Sequence, residues 1–170
     1  MRPSVLGIMT SVAVACATDV VETNHLQMMV NGVNEFGESV GFLETRPGFP
    51  RATWQAPNGV MIDLGTLPGG SRSSAVAIDD AGTIAGQSET AGGAFHAVRW
   101  HHGIIADLGT LPGGDFSVAT AIEGDAVLGE STARDGMLHA VRWQDGMLTD
   151  LGRFSPPGSG AAPPPRGDRR

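Results

Sequence analysis

The octapeptide DLGTLPGG occupies residues 63–70 and recurs letter for letter at residues 107–114. A shortened version, DLGRF, begins at Asp150, so the phrase returns after 44 residues and again after 43. A phrase that recurs at such an interval predicts a chain built from similar supersecondary units stacked on one another.

The segment that precedes each copy of this phrase is also repeated. GVNEFGESVGFLET at 32–45 matches AIDDAGTIAGQSET at 77–90, and both match AIEGDAVLGEST at 121–132. Three glycines fall in register in these matches, Gly41, Gly86 and Gly129. We therefore treat them as repeat positions.

A tryptophan segment follows in each unit. AFHAVRW ends at Trp100, MLHAVRW ends at Trp143, and the shorter FPRATW ends at Trp54. Each tryptophan is followed by a hairpin-type dipeptide, Asn58-Gly59, His102-Gly103 or Asp145-Gly146. These dipeptides favour two-residue turns with positive φ, so each tryptophan segment should pair antiparallel with the segment that leads into the next DLG.

One period thus contains four short β-like runs bounded by Gly, Pro, Asn or Asp. Alternation in SVATAI predicts that Val118, Thr120 and Ile122 face one way and Ala119 and Ala121 the other. Four strands in 40 to 50 residues are typical of a propeller blade. The sequence therefore predicts an all-β fold of about three four-stranded antiparallel repeats, forming a partial β-propeller or an open arc of blades.

The order of these motifs carries a resemblance to a known family. HAVRW, GMLTDLG, LPGG, S-x-A-x-A-I and x-G-x-S resemble, in that order, the bacterial extracellular repeats of the HAF family, named for a His-Ala-Phe triplet. The likeness covers about 32–154 within a repeat domain placed at 18–154. The triplet here reads His-Ala-Val at His96 and His139, and Arg51-Ala52-Thr53 in the first copy. The resemblance implies a secreted or surface β-repeat protein and supplies no catalytic residues.

Histidine and aspartate recur together in the repeats. His96 lies 11 residues before Asp107, and His139 lies 11 before Asp150, while Asp63 heads the first copy of the octapeptide. An active site is normally one constellation on a scaffold, so copied pairs favour a structural role. We expect a buried polar network in each sheet, with His139 bonded to the Asp150 neighbourhood across the hairpin.

Composition limits the partners. The net charge is −7 at pH 7, and all 11 basic residues are Arg, three of which lie in the last five residues. An acidic folded part disfavours nucleic-acid binding. The sequence also lacks the Lys and helix of a phosphate-binding loop after LPGG, EF-hand spacing among its acids, and a third ligand beside His101 and His102. No catalytic residue, cofactor or metal site is assigned.

The two ends have their own compositions. Residues 1–17 combine Arg2, an apolar run and Ala15-Cys16-Ala17, which is the form of a secretory signal peptide and is too short to span a bilayer. The alternatives to a signal peptide are that this segment is a degenerate extra repeat, or that Cys16 is acylated as in a lipoprotein. Residues 155–170 are rich in Pro and Gly and predict a disordered tail, in which Arg166-Gly167-Asp168 is a weak adhesion motif.

The sequence therefore favours an extracellular or periplasmic module for binding or scaffolding, not an enzyme, with a protein or glycan ligand. Loops 89–94 and 132–136 are the predicted recognition surface. The alternatives are a propeller-type enzyme acting on glycans and a fragment of a longer repeat protein without activity of its own. Three blades would leave two open apolar faces, which predicts a homo-oligomer or docking of further blades unless the first 30 residues form a cap.

Overall fold

The chain folds into three sheets, each built on a four-stranded antiparallel meander; in the first sheet an additional strand, Ala13–Ala15, pairs in parallel with the strand Met61–Asp63. The structure is a computed structural model that describes residues 27–153 and two short strands, Ala13–Ala15 and Val20–Glu22. The part described contains no helix, so the predicted all-β class and the three four-stranded repeats are confirmed. The candidate signal peptide, apart from Ala13–Ala15, and the tail at 155–170 lie outside the described residues.

Each sheet is a meander of consecutive strands, the first being extended by the two N-terminal strands. The order is β2-β1-β6-β5-β4-β3 in the first sheet, β10-β9-β8-β7 in the second and β11-β12-β13-β14 in the third. The strands are β1 Ala13–Ala15, β2 Val20–Glu22, β3 Met29–Val33, β4 Ser39–Glu44, β5 Pro50–Gln55, β6 Met61–Asp63, β7 Ser73–Ile78, β8 Ile84–Glu89, β9 Phe95–His101, β10 Ile104–Asp107, β11 Ser117–Glu123, β12 Ala126–Thr132, β13 Leu138–Gln144 and β14 Met147–Gly152.

Two of the three two-residue hairpin turns predicted from the dipeptides are present, and the third turn is different. His102-Gly103 and Asp145-Gly146 have positive φ at both positions and join strands that pair directly on either side, as two-residue type I′ turns do. In the first sheet Ala56 bonds Val60, and Asn58 does not have positive φ. The turn there is therefore the three-residue Pro57-Asn58-Gly59, and the predicted two-residue turn is wrong.

The first strand of each four-stranded meander, β3, β7 or β11, carries a β-bulge. The register shifts between Val30 and Gly32, between Ala75 and Ala77, and between Ala119 and Ala121. Because the bulge resets the alternation, Ala119 and Ile122 both pack into one core and the predicted face of Val118, Thr120 and Ile122 is wrong.

The repeat glycines stand opposite these bulges. A Cβ on Gly41, Gly86 or Gly129 would lie 1.8, 2.1 or 2.0 Å from a carbonyl oxygen of the bulged strand. Only a residue without a side chain allows this approach, which explains why all three units carry glycine at this point.

Two cores lie between successive sheets. We call the face of a sheet that packs on the preceding sheet its leading face, and the opposite face its trailing face. Val40 and Ala52 of the first sheet pack against Val98 and Trp100 of the second, and Ala85 and Ala97 of the second pack against residues of the third. The residues from the third sheet are Ala119, Val127, Val141 and Trp143. Small residues on the trailing face thus receive large ones from the leading face, and the three sheets form an open arc.

Trp54 does not occupy the position of the other two tryptophans. Thr53 pairs with Gly41 in the first sheet, and Val98 pairs with the equivalent Gly86 in the second. Trp54 therefore corresponds to Arg99, and Gln55 corresponds to Trp100. Trp100 and Trp143 are 1% and 4% exposed on leading faces, whereas Trp54 lies on the trailing face of the first sheet. The prediction that the three tryptophans share one repeat position is therefore wrong for Trp54.

The octapeptide is the connector between sheets. Its LPGG forms a turn closed by a bond from Gly70 N–H to Leu67 C=O, or from Gly114 to Leu111, with the preceding glycine at positive φ. Proline followed by such a glycine is the composition of a type II turn. Leu67 and Leu111 are buried between the two sheets that each connector joins.

Candidate functional site

Buried serines join each sheet to the one before it. Ser73 Oγ accepts a hydrogen bond from Ala52 N–H at 2.9 Å and donates to Gly65 C=O at 2.8 Å. Ser117 Oγ does the same with Ala97 N–H and Gly109 C=O, at 2.8 Å each. We call these contacts serine bridges. Each bridge connects the first strand of one four-stranded meander, β7 or β11, to an inner strand of the preceding sheet, β5 or β9, and to the connector that follows that sheet.

A second serine in each unit holds the connector. Leu67 N–H donates to Ser88 Oγ at 2.8 Å, and Leu111 N–H donates to Ser131 Oγ at 2.9 Å. All four serines are buried. Sequence reasoning recorded these serines only as letters of the motifs S-x-A-x-A-I and x-G-x-S; their recurrence was the signal that could have identified them as the residues that stack the sheets.

The recurring aspartates each accept two kinds of hydrogen bond. His96 Nδ1 lies 2.9 Å from Asp107 Oδ2, and His139 Nδ1 lies 2.9 Å from Asp150 Oδ2. In the first sheet Arg51 Nε lies 3.1 Å from Asp63 Oδ2, so a guanidinium replaces the imidazole. The aspartates also accept from the N–H of the glycine two residues on, namely Gly65, Gly109 and Gly152.

These pairs are not buried networks. The side chain of Asp150 is 44% exposed and that of His139 is 14% exposed. The expected contact across the hairpin is present, but the expected burial is wrong, because the pairs lie where strands β10 and β14 form the outer edges of their sheets. An arginine in one copy and histidine in the others favour an ion pair that fixes the start of the connector.

Hydrogen bonds shift the pKa of several groups at this end of the sheets. The hydrogen bond that His139 donates to Asp150 raises the pKa of His139 above its ordinary value, and Asp135 adds to this. The Met137 N–H, followed by Arg153, lowers the pKa of Asp135 to about 2. Bonds from Arg72 and then Ser71 lower the pKa of Glu89 to about 2.

The predicted recognition loops, 89–94 and 132–136, are partly covered by contacts with the connectors between the sheets. A Cβ on Gly69 would lie 2.6 Å from Ala91 Cβ, and one on Gly113 would lie 3.0 Å from Arg134 Cβ, so each LPGG turn packs on the loop between the middle strands of the next sheet. Glu89 is bound to Ser71 and Arg72 at the start of that sheet. These loops therefore act first as contacts between units.

A cleft lies between the second and third sheets at the opposite end of the strands. It has a volume of 530 Å³ and is lined by the turns before β8 and β12 and by β9. The charged or titratable residues in its lining are Asp79, Arg99, His101 and Asp125. Thr83 Oγ1 lies 3.4 Å from His101 Nδ1 and orients that ring. Sequence reasoning did not single out Asp79, Asp125 or Arg99 as site residues.

A smaller cavity of 230 Å³ continues this cleft. It shares Arg99, Asp125 and Val127 with the larger one and reaches Trp143 and Asp145. A cavity of 240 Å³ between the first and second sheets is lined by the related residues Trp54, Trp100 and His102. The indole N–H groups of Trp100 and Trp143 are buried without a hydrogen-bond partner in the described part of the chain. Concave surfaces therefore recur at this end of the arc.

Neither a metal-ligating cluster nor a membrane-spanning helix is found within residues 27–153. No three His, Cys, Asp or Glu side chains there converge in a way that could hold a metal ion. No family model matches the chain, and no curated protein or solved structure matches it.

Proposed function

We propose that this chain is a non-catalytic β-repeat module that binds a polar ligand at the cleft between its second and third sheets. The observation that carries the proposal is the lining of the cleft, in which the Arg99 guanidinium stands with two carboxylates, Asp79 and Asp125, around a concave space of 530 Å³. Concave sites with a few convergent polar groups are where proteins bind ligands.

The role of the histidine and aspartate residues supports binding over catalysis. His96 and His139 each bond an aspartate that also receives a backbone N–H, and Arg51 serves in the same position. An arginine does not act as a general base near neutral pH, since it stays protonated. A contact in which arginine and histidine occupy the same position needs only an N–H donor to the aspartate and no general base.

The ligand class that fits is a protein segment or a glycan. Mixed positive and negative groups recognise neutral polar chains, whose hydroxyl or amide groups both donate and accept hydrogen bonds. The resemblance to HAF repeats and the form of residues 1–17 further support export, so we place the module outside the cytoplasm. Mass spectrometry of the protein secreted by its host should find an N-terminus at Thr18, and an unprocessed Met1 would contradict export by this signal.

Screening on a glycan array and a peptide array, beside a hydrolysis screen on polymers, tests the proposal. Arg99→Gln should weaken binding of any hit about tenfold or more, the scale of one charge-assisted hydrogen bond. Arg46→Gln is the matched control, because Arg46 is exposed in the loop between β4 and β5 and lies outside both the cleft and the predicted recognition loops. Equal loss in both variants would place the ligand elsewhere, and turnover of a polymer would favour the enzyme alternative.

A further inference from the structure

The trailing face of the third sheet is the counterpart of surfaces that are covered in the first two. By strand register, Leu128 and Ala140 of this face correspond to Ala85 and Ala97 of the second sheet. Ala85 and Ala97 are fully buried under the third sheet. On the third sheet, by contrast, Leu138 is 47% exposed and Leu151 is 58% exposed, beside a groove of 410 Å³.

Arg142 on this face has a counterpart in the second sheet that is exposed and stands beside the next interface. Arg142 corresponds in register to Arg99, which lines the cleft opposite Asp125 of the next sheet. Within residues 27–153, Arg142 Nε is buried and has no hydrogen-bond partner. The side chain as a whole is only partly buried, so its guanidinium is open to an acceptor on whatever covers the face.

The last strand of the third sheet pairs differently from the last strands of the first two sheets. In the first two sheets the last strand of the meander, β6 or β10, ends at Asp63 or Asp107. A serine of the next sheet then stands between Ala52 N–H and Gly65 C=O, or between Ala97 N–H and Gly109 C=O. In the third sheet Ala140 pairs directly with Gly152, so β14 runs further. The ladder is thus closed where a serine bridge would otherwise form, so a docked sheet would have to replace this last pair by its own serine.

We propose that the trailing face of the third sheet docks a further four-stranded sheet of this same repeat type, with serine two residues before alanine in its first strand and an acidic turn that faces Arg142. Such a sheet would continue the series of the two interfaces already present in the chain. Each of them uses a small or aliphatic trailing face, a serine bridge and a bulky leading face.

The first sheet of a second copy does not have this chemistry. In register, Met28 stands where Ser73 stands, Leu43 replaces Ser88, and Gln55 replaces Trp100. Its leading face therefore offers neither the two serines nor a tryptophan at the position of Trp100. Head-to-tail assembly of identical chains lacks the contacts that the other interfaces use.

The test supplies such a sheet in the full chain, by inserting a second copy of residues 110–152 directly after Gly152. Docking should give one unfolding transition with a raised midpoint, and amides of the added copy should be protected from hydrogen exchange. In the extended chain, Leu151→Glu should abolish that protection. In the original chain the same change should leave the midpoint nearly unchanged, because the side chain is exposed there.

Two substitutions in the added copy test the serine bridge itself. In the added copy, replacing the serine that corresponds to Ser117 by alanine should lower the midpoint, and replacing the residue that corresponds to Thr149 should not. The proposal is wrong if the added copy stays unprotected, or if its protection survives Leu151→Glu. It is also wrong if light scattering finds the original chain as a dimer that dissociates on Leu151→Glu, since a second copy would then be the occupant.

Discussion

The hydroxyl of Ser117, in the third sheet, lies 2.8 Å from the backbone nitrogen of Ala97, in the second, and accepts its hydrogen bond. The same hydroxyl donates to Gly109 C=O, so a single side chain satisfies two backbone groups of the neighbouring sheet. Ser73 repeats this geometry between the first two sheets. The arc is therefore held by hydrogen bonds as well as by its apolar cores.

Replacing Ser117 by alanine should leave Ala97 N–H and Gly109 C=O without this partner. We expect a loss of about 1–3 kcal/mol in the free energy of unfolding, the cost of buried polar groups left unpaired. Urea denaturation measures it. Thr149→Ala, at an exposed strand position, is the control and should change stability by less than about 0.5 kcal/mol. Equal stability of the two variants would show that the bridge contributes nothing.

The second LPGG turn gives a steric prediction. A Cβ on Gly114 would lie 1.8 Å from Thr132 C=O, whereas one on Gly92 would meet only Thr90 Oγ1 at 3.7 Å. Gly114→Ala should destabilise by about 1–3 kcal/mol or more, because backbone must move. Gly92→Ala should be neutral or slightly stabilising, through the lower entropy of the unfolded chain. A tolerated Gly114→Ala would contradict the packing of this turn on the third sheet.

Titration of His139 tests the contact at the outer edge of the third sheet. Asp150 raises the pKa of His139, so Asp150→Asn should lower that pKa toward its ordinary value of 6.5 in an NMR titration. Asp145→Asn, in the hairpin turn, is the matched control. A raised pKa means that the pair stabilises the fold fully below pH 6.5 and loses this effect as the pH rises through the folded value. An unchanged pKa in Asp150→Asn would contradict the bond.

Glu89 gives the opposite dependence on pH. Its pKa is lowered from 4.5 to about 2 by Arg72 and Ser71, so its contribution to stability is present above pH 4.5 and is lost as the pH falls toward 2. The difference in melting temperature between the native chain and Glu89→Gln should therefore shrink across that window. Glu123→Gln, at an exposed position, should show no such trend. A constant difference for Glu89→Gln would exclude the ion pair.

Much of the fold was predictable because the repeat is written in the sequence. The interval of the octapeptide predicted the number of units, and Gly103 and Gly146 predicted the two tight hairpins correctly. Spacing also indicated the pairing of His139 with Asp150. Local turn chemistry and recurrence carry this information without knowledge of the tertiary packing.

Other features depend on register, which letters alone do not fix. One residue fewer separates Arg51 from Trp54 than separates His96 from Trp100, and a slip of one residue in a strand turns the side chain to the other face. Trp54 therefore lies on the trailing face although it matches in sequence. Burial of the histidine pairs was overestimated because the sequence does not show that β10 and β14 are edge strands.

The candidate site was largely beyond sequence reasoning. Arg99 and Asp79 come from the second unit and Asp125 comes from the third, and they meet only because the sheets stack. The serines were visible as recurring letters, but a hydroxyl that accepts from one backbone group and donates to another in a neighbouring sheet cannot be read from strand periodicity. Such contacts follow from the assembled arc.

Hydrogen exchange of four backbone amides tests the stacking most directly. Ala52, Ala97, Leu67 and Leu111 donate their N–H groups to serine hydroxyls of the next sheet and not to a neighbouring strand. If the sheets stack as described, these amides exchange as slowly as the ladder amides of β8 and β12, because they open only when the units separate. Exchange of these four at the rate of unprotected amides, while the ladder amides remain protected, would show that the sheets form but are not joined by the serines.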